Sequence, residues 1–136
     1  MVGRTLSQPG PVRLALYADA AFELFVAIVL AASASTWADL FNVDQAVIWG
    51  VAGVFLLAAL AVGFIAAMQI ESRELVYGLA AANIVGGLAL WAAWLFLRDD
   101  LDPGARWAAA AVADTFILVG LLEIFVLRRT PPRIED

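Results

Sequence analysis

Four apolar runs, over residues 14–36, 46–68, 75–97 and 107–127, constrain the fold of this chain more than any other feature. Each is about 20 residues long, enough for a helix rising about 1.5 Å per residue to cross roughly 30 Å of hydrocarbon. Lipid offers the backbone no hydrogen bonds, so an open chain crosses it only as helix. The runs lack the polar face that a water-soluble helix of this length needs. Of all residues 64% are hydrophobic, against about 45–50% in soluble domains. The expectation is an all-α fold: one membrane domain over residues 1–136, an antiparallel bundle of four transmembrane helices, with cytoplasmic tails at 1–13 and 128–136. The five prolines lie outside the runs, which predicts straight helices. Short connections make consecutive helices neighbours.

The first run has the outline of a cleavable secretory signal, with Arg13 before it and Ala32-Ser33-Ala34 near its end. Asp19 and Glu23 interrupt it, however, and it is longer than the apolar core of such a signal, so a retained span is the preferred reading.

Orientation follows from the basic residues, all of them Arg. With the N-terminus inside, Arg4, Arg13, Arg73, Arg128, Arg129 and Arg133 are cytoplasmic, and only Arg98 and Arg106 are outside. The positive-inside rule favours this N-in, C-in arrangement, and the expected location is the inner membrane of the cell. Trp37, Trp49, Trp91, Trp94 and Trp107 all fall toward the outer ends, while Tyr17 and Tyr77 fall near the inner ends, as interfacial aromatic anchors do. Arg128 and Arg129 complete the anchoring on the inner side.

Several functions are disfavoured at once. There is no cysteine and no histidine, which removes thiolate chemistry, the usual general base and the commonest zinc ligand. No cofactor and no metal site are expected. The Asp100-Leu101-Asp102-Pro103-Gly104 turn faintly resembles a calcium loop but lacks its third spaced carboxylate and distant Glu. A net charge of −5 without a basic patch argues against nucleic acid.

In lipid, helices associate where small residues let backbones approach. The third run carries Gly78, Ala82 and Gly86 at four-residue spacing, with Asn83 and Gly87 beside them; the second carries Ala59 and Gly63, with Gly50 and Gly53 near its outer end. These are read as seams of the bundle, the alternative being a face for dimerisation. The halves hint at a parallel repeat, since Asp39-Leu40 before Trp49 echoes Asp100-Leu101 before Trp107.

Five polar residues inside the runs, Asp19, Glu23, Asn83, Asp114 and Glu123, are the candidate functional positions, because carboxylates are costly in hydrocarbon. From the helical rise, Asp19 lies about 9 Å beyond Arg13, Glu23 about 15 Å beyond it, and Asn83 about 12 Å beyond Leu75. Asp19 and Glu23 share a helix face, so Asp19, Glu23 and Asn83 form one expected polar cluster. Asp114, about 21 Å from Arg128, and Glu123, about 7 Å from it, are secondary candidates. Glu123 is shallow enough to snorkel toward Arg128 or Arg129. With no basic residue inside a run, the acids are either neutral and bonded to Asn83, Thr115 or backbone carbonyls, or charged and drawing in a proton or cation.

Val12-Arg13-Leu14-Ala15-Leu16 with Asp19-Ala20, Gly53 with Leu56, Ala81-Ala82-Asn83, and the closing Glu123 with Arg128-Arg129 resemble a group of small uncharacterised bacterial four-helix membrane proteins, similar in size to DoxX-like proteins. The resemblance, from about Val12 to Arg129, implies the four-helix fold and that Asp19 and Asn83 belong to a shared pattern. It brings no activity with it. Glu23 also resembles the first-helix Glu of small multidrug transporters, although its surroundings depart from their motif and the arginine bias is against dual topology.

The leading expectation is a non-enzymatic accessory or scaffold subunit, whose partners are the bilayer and either further copies of itself or a larger membrane complex. Its rival is a proton- or cation-coupled carrier of a lipophilic or cationic substrate working through Glu23 with Asp19 or Asp114. An intramembrane lipid enzyme using Glu23 and Asp114 is a third class, disfavoured by their different depths.

Overall fold

The structure is a computed structural model that describes residues 10–68 and 72–130. These form five helices and no strand: α1 (Pro11–Ala32), α2 (Ala34–Phe41), α3 (Gln45–Ala67), α4 (Arg73–Leu97) and α5 (Pro103–Arg129). Four of them, all but α2, are long and apolar enough to cross a membrane.

The helix ends follow local chemistry. Pro11 and Pro103 stand at the first turns of α1 and α5, where a missing N–H costs nothing and the fixed φ suits a helix. The carboxylate of Asp44 accepts from the Ala46 N–H, that of Asp102 from Gly104, and the Ser72 hydroxyl from Leu75, so α3, α5 and α4 all begin on side-chain caps. The long helices thus overrun the expected tails: residues 11–13 and 128–129 are helical. Residues 1–9 and 131–136 lie outside the described residues.

The first run differs most from expectation. It does not continue to residue 36 but breaks at Ser33, and α2 follows as a separate helix. The Ser33 hydroxyl donates to the Val29 carbonyl at 2.7 Å, a back-bond that bends helices, within a run of small polar residues that favour helix weakly. Asp39, expected in a loop, therefore sits on α2. That helix ends at Asn42, whose left-handed backbone (φ 52°) lets its N–H reach the last carbonyls.

Helix α1 packs along α3, and α4 along α5; the two pairs meet mainly through α1 and α5. No Cα atoms of α1 and α4, of α3 and α5, or of α3 and α4 come within 8 Å. Side chains bridge two of these wider gaps. Asp19 meets Asn83 across α1 and α4, and Phe55 stacks on Phe116 across α3 and α5 with ring centroids 5.6 Å apart. At one end Leu16, Val62, Ala66, Val76 and Leu127 join all four long helices in a common apolar layer.

The two pairs repeat one layout. Arg13 near the start of α1 donates to the Ala66 carbonyl at the end of α3, and Arg73 at the start of α4 donates to the Leu127 and Thr130 carbonyls at the end of α5. At one constant spacing, Leu16 matches Val76, Glu23 matches Asn83 and Ala27 matches Gly87, every one of them buried. Between α3 and α5, Ala52, Ala59 and Ala66 match Ala113, Gly120 and Leu127, again all buried. The Asp-Leu…Trp echo in the connections does not share this alignment. The connections are where the halves differ, since only the first contains an extra helix.

The seam between α4 and α5 is the tighter one. A Cβ built on Gly87 would lie 2.6 Å from Ile117 Cγ1 and 2.7 Å from the Ala113 carbonyl; one on Gly120 would lie 2.6 Å from the Ala80 carbonyl. Only glycine permits backbones this close. On α3, Ala59 is buried, and a Cβ built on Gly63 would lie an ordinary 3.8 Å from Ala20 Cβ. The ridge of Gly78, Ala82 and Gly86, expected as a seam, instead turns away from the other helices: Gly78 and Ala82 are exposed, and a Cβ on Gly78 or Gly86 would meet nothing within 4 Å. The inward stripe is the adjacent one, Val76, Ala80, Asn83 and Gly87. Gly50 and Gly53 likewise have open space.

Candidate functional site

Asp19, Asn83 and Glu123 converge between α1, α4 and α5. The Asn83 Nδ2 donates to Asp19 Oδ2 at 3.0 Å and lies 3.4 Å from Glu123 Oε2. One amide thus serves two carboxyls from two other helices. Asp19 and Glu123 are each 1% exposed, among the most deeply buried large side chains of the protein. Glu23, one turn further along the same face of α1, is buried beside them.

Each acid keeps an oxygen with no hydrogen-bond partner: Asp19 Oδ1, Glu23 Oε2 and Glu123 Oε1. Among the described residues the one ion pair, Arg98 with Asp99, is at the end of α4. Arg13 and Arg73 are committed to the carbonyls of α3 and α5. The cluster therefore joins three acids and one amide with no ion-paired base. Three negative charges packed together in an apolar interior would repel one another and forgo hydration. No group of three acids among the described residues is arranged to hold a metal ion.

Glu123 does not snorkel. Arg129 lies over the Phe125 ring, 4.3 Å from its centroid, and Arg128 is exposed, so neither meets the acid. A sequence signal for its burial existed: Ala113, Phe116, Gly120, Glu123 and Leu127 recur at three- and four-residue steps and form the inward face of α5. Gly120, on the same stripe, is a seam residue that the expected seams did not include.

Asp114 is apart from the cluster. It is exposed on α5, and its Oδ1 accepts from the Trp91 indole N–H at 2.9 Å. Thr115 bonds its own helix at Ala111. The tryptophans divide as well. Trp94 donates to the Arg106 carbonyl and packs edge-on against Trp91; Trp37 is half-buried beside Phe41; Trp49 and Trp107 are exposed, as interfacial anchors would be.

Asp19, Glu23, Asn83 and Glu123 are all buried where α1, α4 and α5 meet. Compared with known proteins, the chain matches no family model, no curated protein and no solved structure.

Proposed function

We propose that this chain is a non-enzymatic multi-pass protein of the inner membrane, with both ends cytoplasmic, that takes up and releases protons at Asp19, Glu23 and Glu123 as its two helix pairs shift, in the manner of a proton-coupled carrier. The observation that carries this reading is the burial of three acids, Asp19, Glu23 and Glu123, in one cluster with a single amide donor that bonds two of them. Interhelical adhesion alone needs one good hydrogen bond, worth only about 1 kcal/mol in a membrane. Three buried acids are an expensive way to obtain it, and an intramembrane acid is by default a candidate functional residue. The antiparallel N-in, C-in arrangement is supported by Arg13, Arg73, Arg128 and Arg129 all belonging to the helix ends joined by the two arginine–carbonyl contacts.

Infrared spectra of the protein in liposomes test it. A pH jump should change the protonated-carboxyl band, and Asp19→Asn, Glu23→Gln or Glu123→Gln should each remove part of that change. A band that stays constant throughout the physiological pH range would end the proposal.

A second reading, an accessory or scaffold subunit, is favoured by the outward ridge of Gly78 and Ala82. The natural chain has no cysteine, so Ala82→Cys gives a clean crosslinking probe. Disulfide-linked dimers in native membranes, absent when the cysteine is placed at the exposed Leu57 of α3, are the expected result under this reading. Equal crosslinking at both positions would remove it.

A further inference from the structure

Asp114 is the one acid of the four long helices that lies neither in the buried cluster nor at a helix end. It stands exposed on α5, about 12 Å along the axis from Arg106 and about 21 Å from Arg128. In a helix that crosses a membrane this is hydrocarbon depth, where a carboxylate without a counter-charge is unfavourable. The two arginines nearest that end of the bundle are turned elsewhere: Arg106 Nε donates to the Leu101 carbonyl at 2.9 Å, and Arg98 pairs with Asp99. Every described arginine lies in the first or last turn of a helix or at its cap. Neither this chain nor a second copy in the same orientation therefore brings a positive charge to the depth of Asp114. The acid is nevertheless held in place. The Trp91 indole N–H donates to Asp114 Oδ1 at 2.9 Å, and the Trp91 ring meets that of Trp94 edge-on, with centroids 5.2 Å apart. Trp94 is tied in turn to the Arg106 carbonyl at 3.0 Å. Thr115, next to the acid, donates to Ala111 instead, and Asp114 Oδ2 accepts no hydrogen bond from a described residue.

We propose that Asp114, with Trp91 and Trp94 beside it, forms a lipid-facing site for a hydrophobic organic cation, a substituted ammonium ion with an apolar body. The carboxylate supplies the counter-charge, and indole rings attract cations more strongly than other aromatic side chains do. The indole N–H fixes one carboxyl oxygen and leaves the other for the ligand. The cation needs an apolar body because it approaches from lipid, on the exposed flank of α4 and α5. The inference rests on the chain spanning a membrane and gives the carrier reading a class of substrate. It does not depend on proton exchange at Asp19, Glu23 and Glu123.

Equilibrium binding of radiolabelled tetrapentylammonium to the full protein in phosphatidylcholine nanodiscs, with empty nanodiscs subtracted, is the test. Saturable binding is expected. Asp114→Asn keeps an oxygen that can accept from Trp91 and removes the charge, so affinity should fall about tenfold or more, as for the loss of one charged contact. Asp114→Glu should restore part of that loss. Trp91→Phe keeps a ring but not the N–H that fixes the acid, and should weaken binding less, by about fivefold. Asp19→Asn and Glu23→Gln should bind like the natural chain. Circular dichroism checks that each variant is folded. The proposal is overturned if binding above empty nanodiscs does not saturate, if folded Asp114→Asn binds as tightly as the natural chain, or if Asp19→Asn abolishes binding and Asp114→Asn does not. The infrared band of the buried acids is a separate readout, so either reading can fail without the other.

Discussion

The pair α1 and α3 and the pair α4 and α5 share a layout but solve it with different side chains. Where the first pair has buried Ala27 and Ala59, the second has Gly87 and Gly120, where an added Cβ would run into the facing backbone. Where the first has Glu23 and Val62, the second has Asn83 and Glu123. Where the first has Ala31 and Gly53, the second has Trp91 and Asp114, joined by a hydrogen bond. The polar cluster arises from these inequalities. Asp19 and Glu23 come from one pair, Asn83 and Glu123 from the other, so the bonded site exists only when both pairs are in register. A strictly symmetric repeat with acids at both positions would lack the amide donor that Asn83 supplies.

The largest effect is expected from removing what makes the second seam tighter. Gly120→Ala drives a methyl group into the Ala80 carbonyl, a backbone atom that cannot yield as a side chain can. A cost of about 2–3 kcal/mol is expected, at the upper end of ordinary overpacking. The first pair has an alanine, Ala59, at the matching position, so the comparison there is Gly63→Ala on the same helix, where the new Cβ is 3.8 Å from Ala20; the shift should be within about 0.5 kcal/mol. Unfolding by sodium dodecyl sulfate in mixed micelles, followed by helical circular dichroism, measures both. Equal losses in the two variants would mean that the seams are equally tight.

Next comes the donor that the two pairs do not share. Asn83→Leu deprives the buried Asp19 and Glu123 carboxyls of their amide and should cost about 1–3 kcal/mol, the usual penalty for stranding a buried polar group. The matched change in the first pair, Glu23→Leu, removes an acid that makes no hydrogen bond through Oε2 and should leave stability unchanged or raise it. If Glu23→Leu destabilises as much as Asn83→Leu, Glu23 is part of the adhesion and not a spare acid beside it.

How much of this was legible in the sequence depended on which physical signal was involved. Length and hydropathy fixed the four long helices, because lipid leaves the backbone no alternative. The pairing of Asp19 with Asn83 was accessible from depth and helical periodicity. The inward stripe of α4 was not, because Gly78-x-x-x-Ala82 and Ala80-x-x-Asn83 lie on adjacent faces and spacing alone does not say which meets a partner. Glu123 was misplaced by treating depth as decisive, although its stripe with Gly120 pointed inward. The break at Ser33 depends on one hydroxyl choosing a carbonyl of its own helix, and short polar runs do this in some helices and not in others.

A smaller effect distinguishes the two arginine contacts. Arg73 spends two donors on α5, to Leu127 and Thr130, each at 2.8 Å, whereas Arg13 spends one on α3, to Ala66 at 2.8 Å. Bonds of a charged donor contribute about 1.5–3 kcal/mol when well buried, and these, being partly buried, should contribute less. Arg73→Ala should therefore speed amide exchange over the last turn of α5 more than Arg13→Ala speeds it over the last turn of α3. The comparison is within one molecule, so detergent and temperature cancel. Equal acceleration would mean that the second bond of Arg73 contributes nothing.

The smallest effect belongs to the outward ridge, and its smallness is what is informative. Gly78→Ala and Gly86→Ala add methyl groups that meet nothing within 4 Å and replace glycine by a better helix former. In isolated protein each should leave stability within about 0.5 kcal/mol of the natural chain, or slightly above it. The same variants should weaken any association through this face, since an added methyl holds a partner helix away from close backbone contact. Measuring both quantities separates two kinds of glycine on one helix: Gly87, which is needed by the chain's own seam, and Gly78 with Gly86, which only a neighbour could need. A stability loss at Gly78 comparable to that at Gly120 would place the ridge inside the bundle after all. Unchanged stability together with unchanged association would leave the two outward glycines without any role in helix contact.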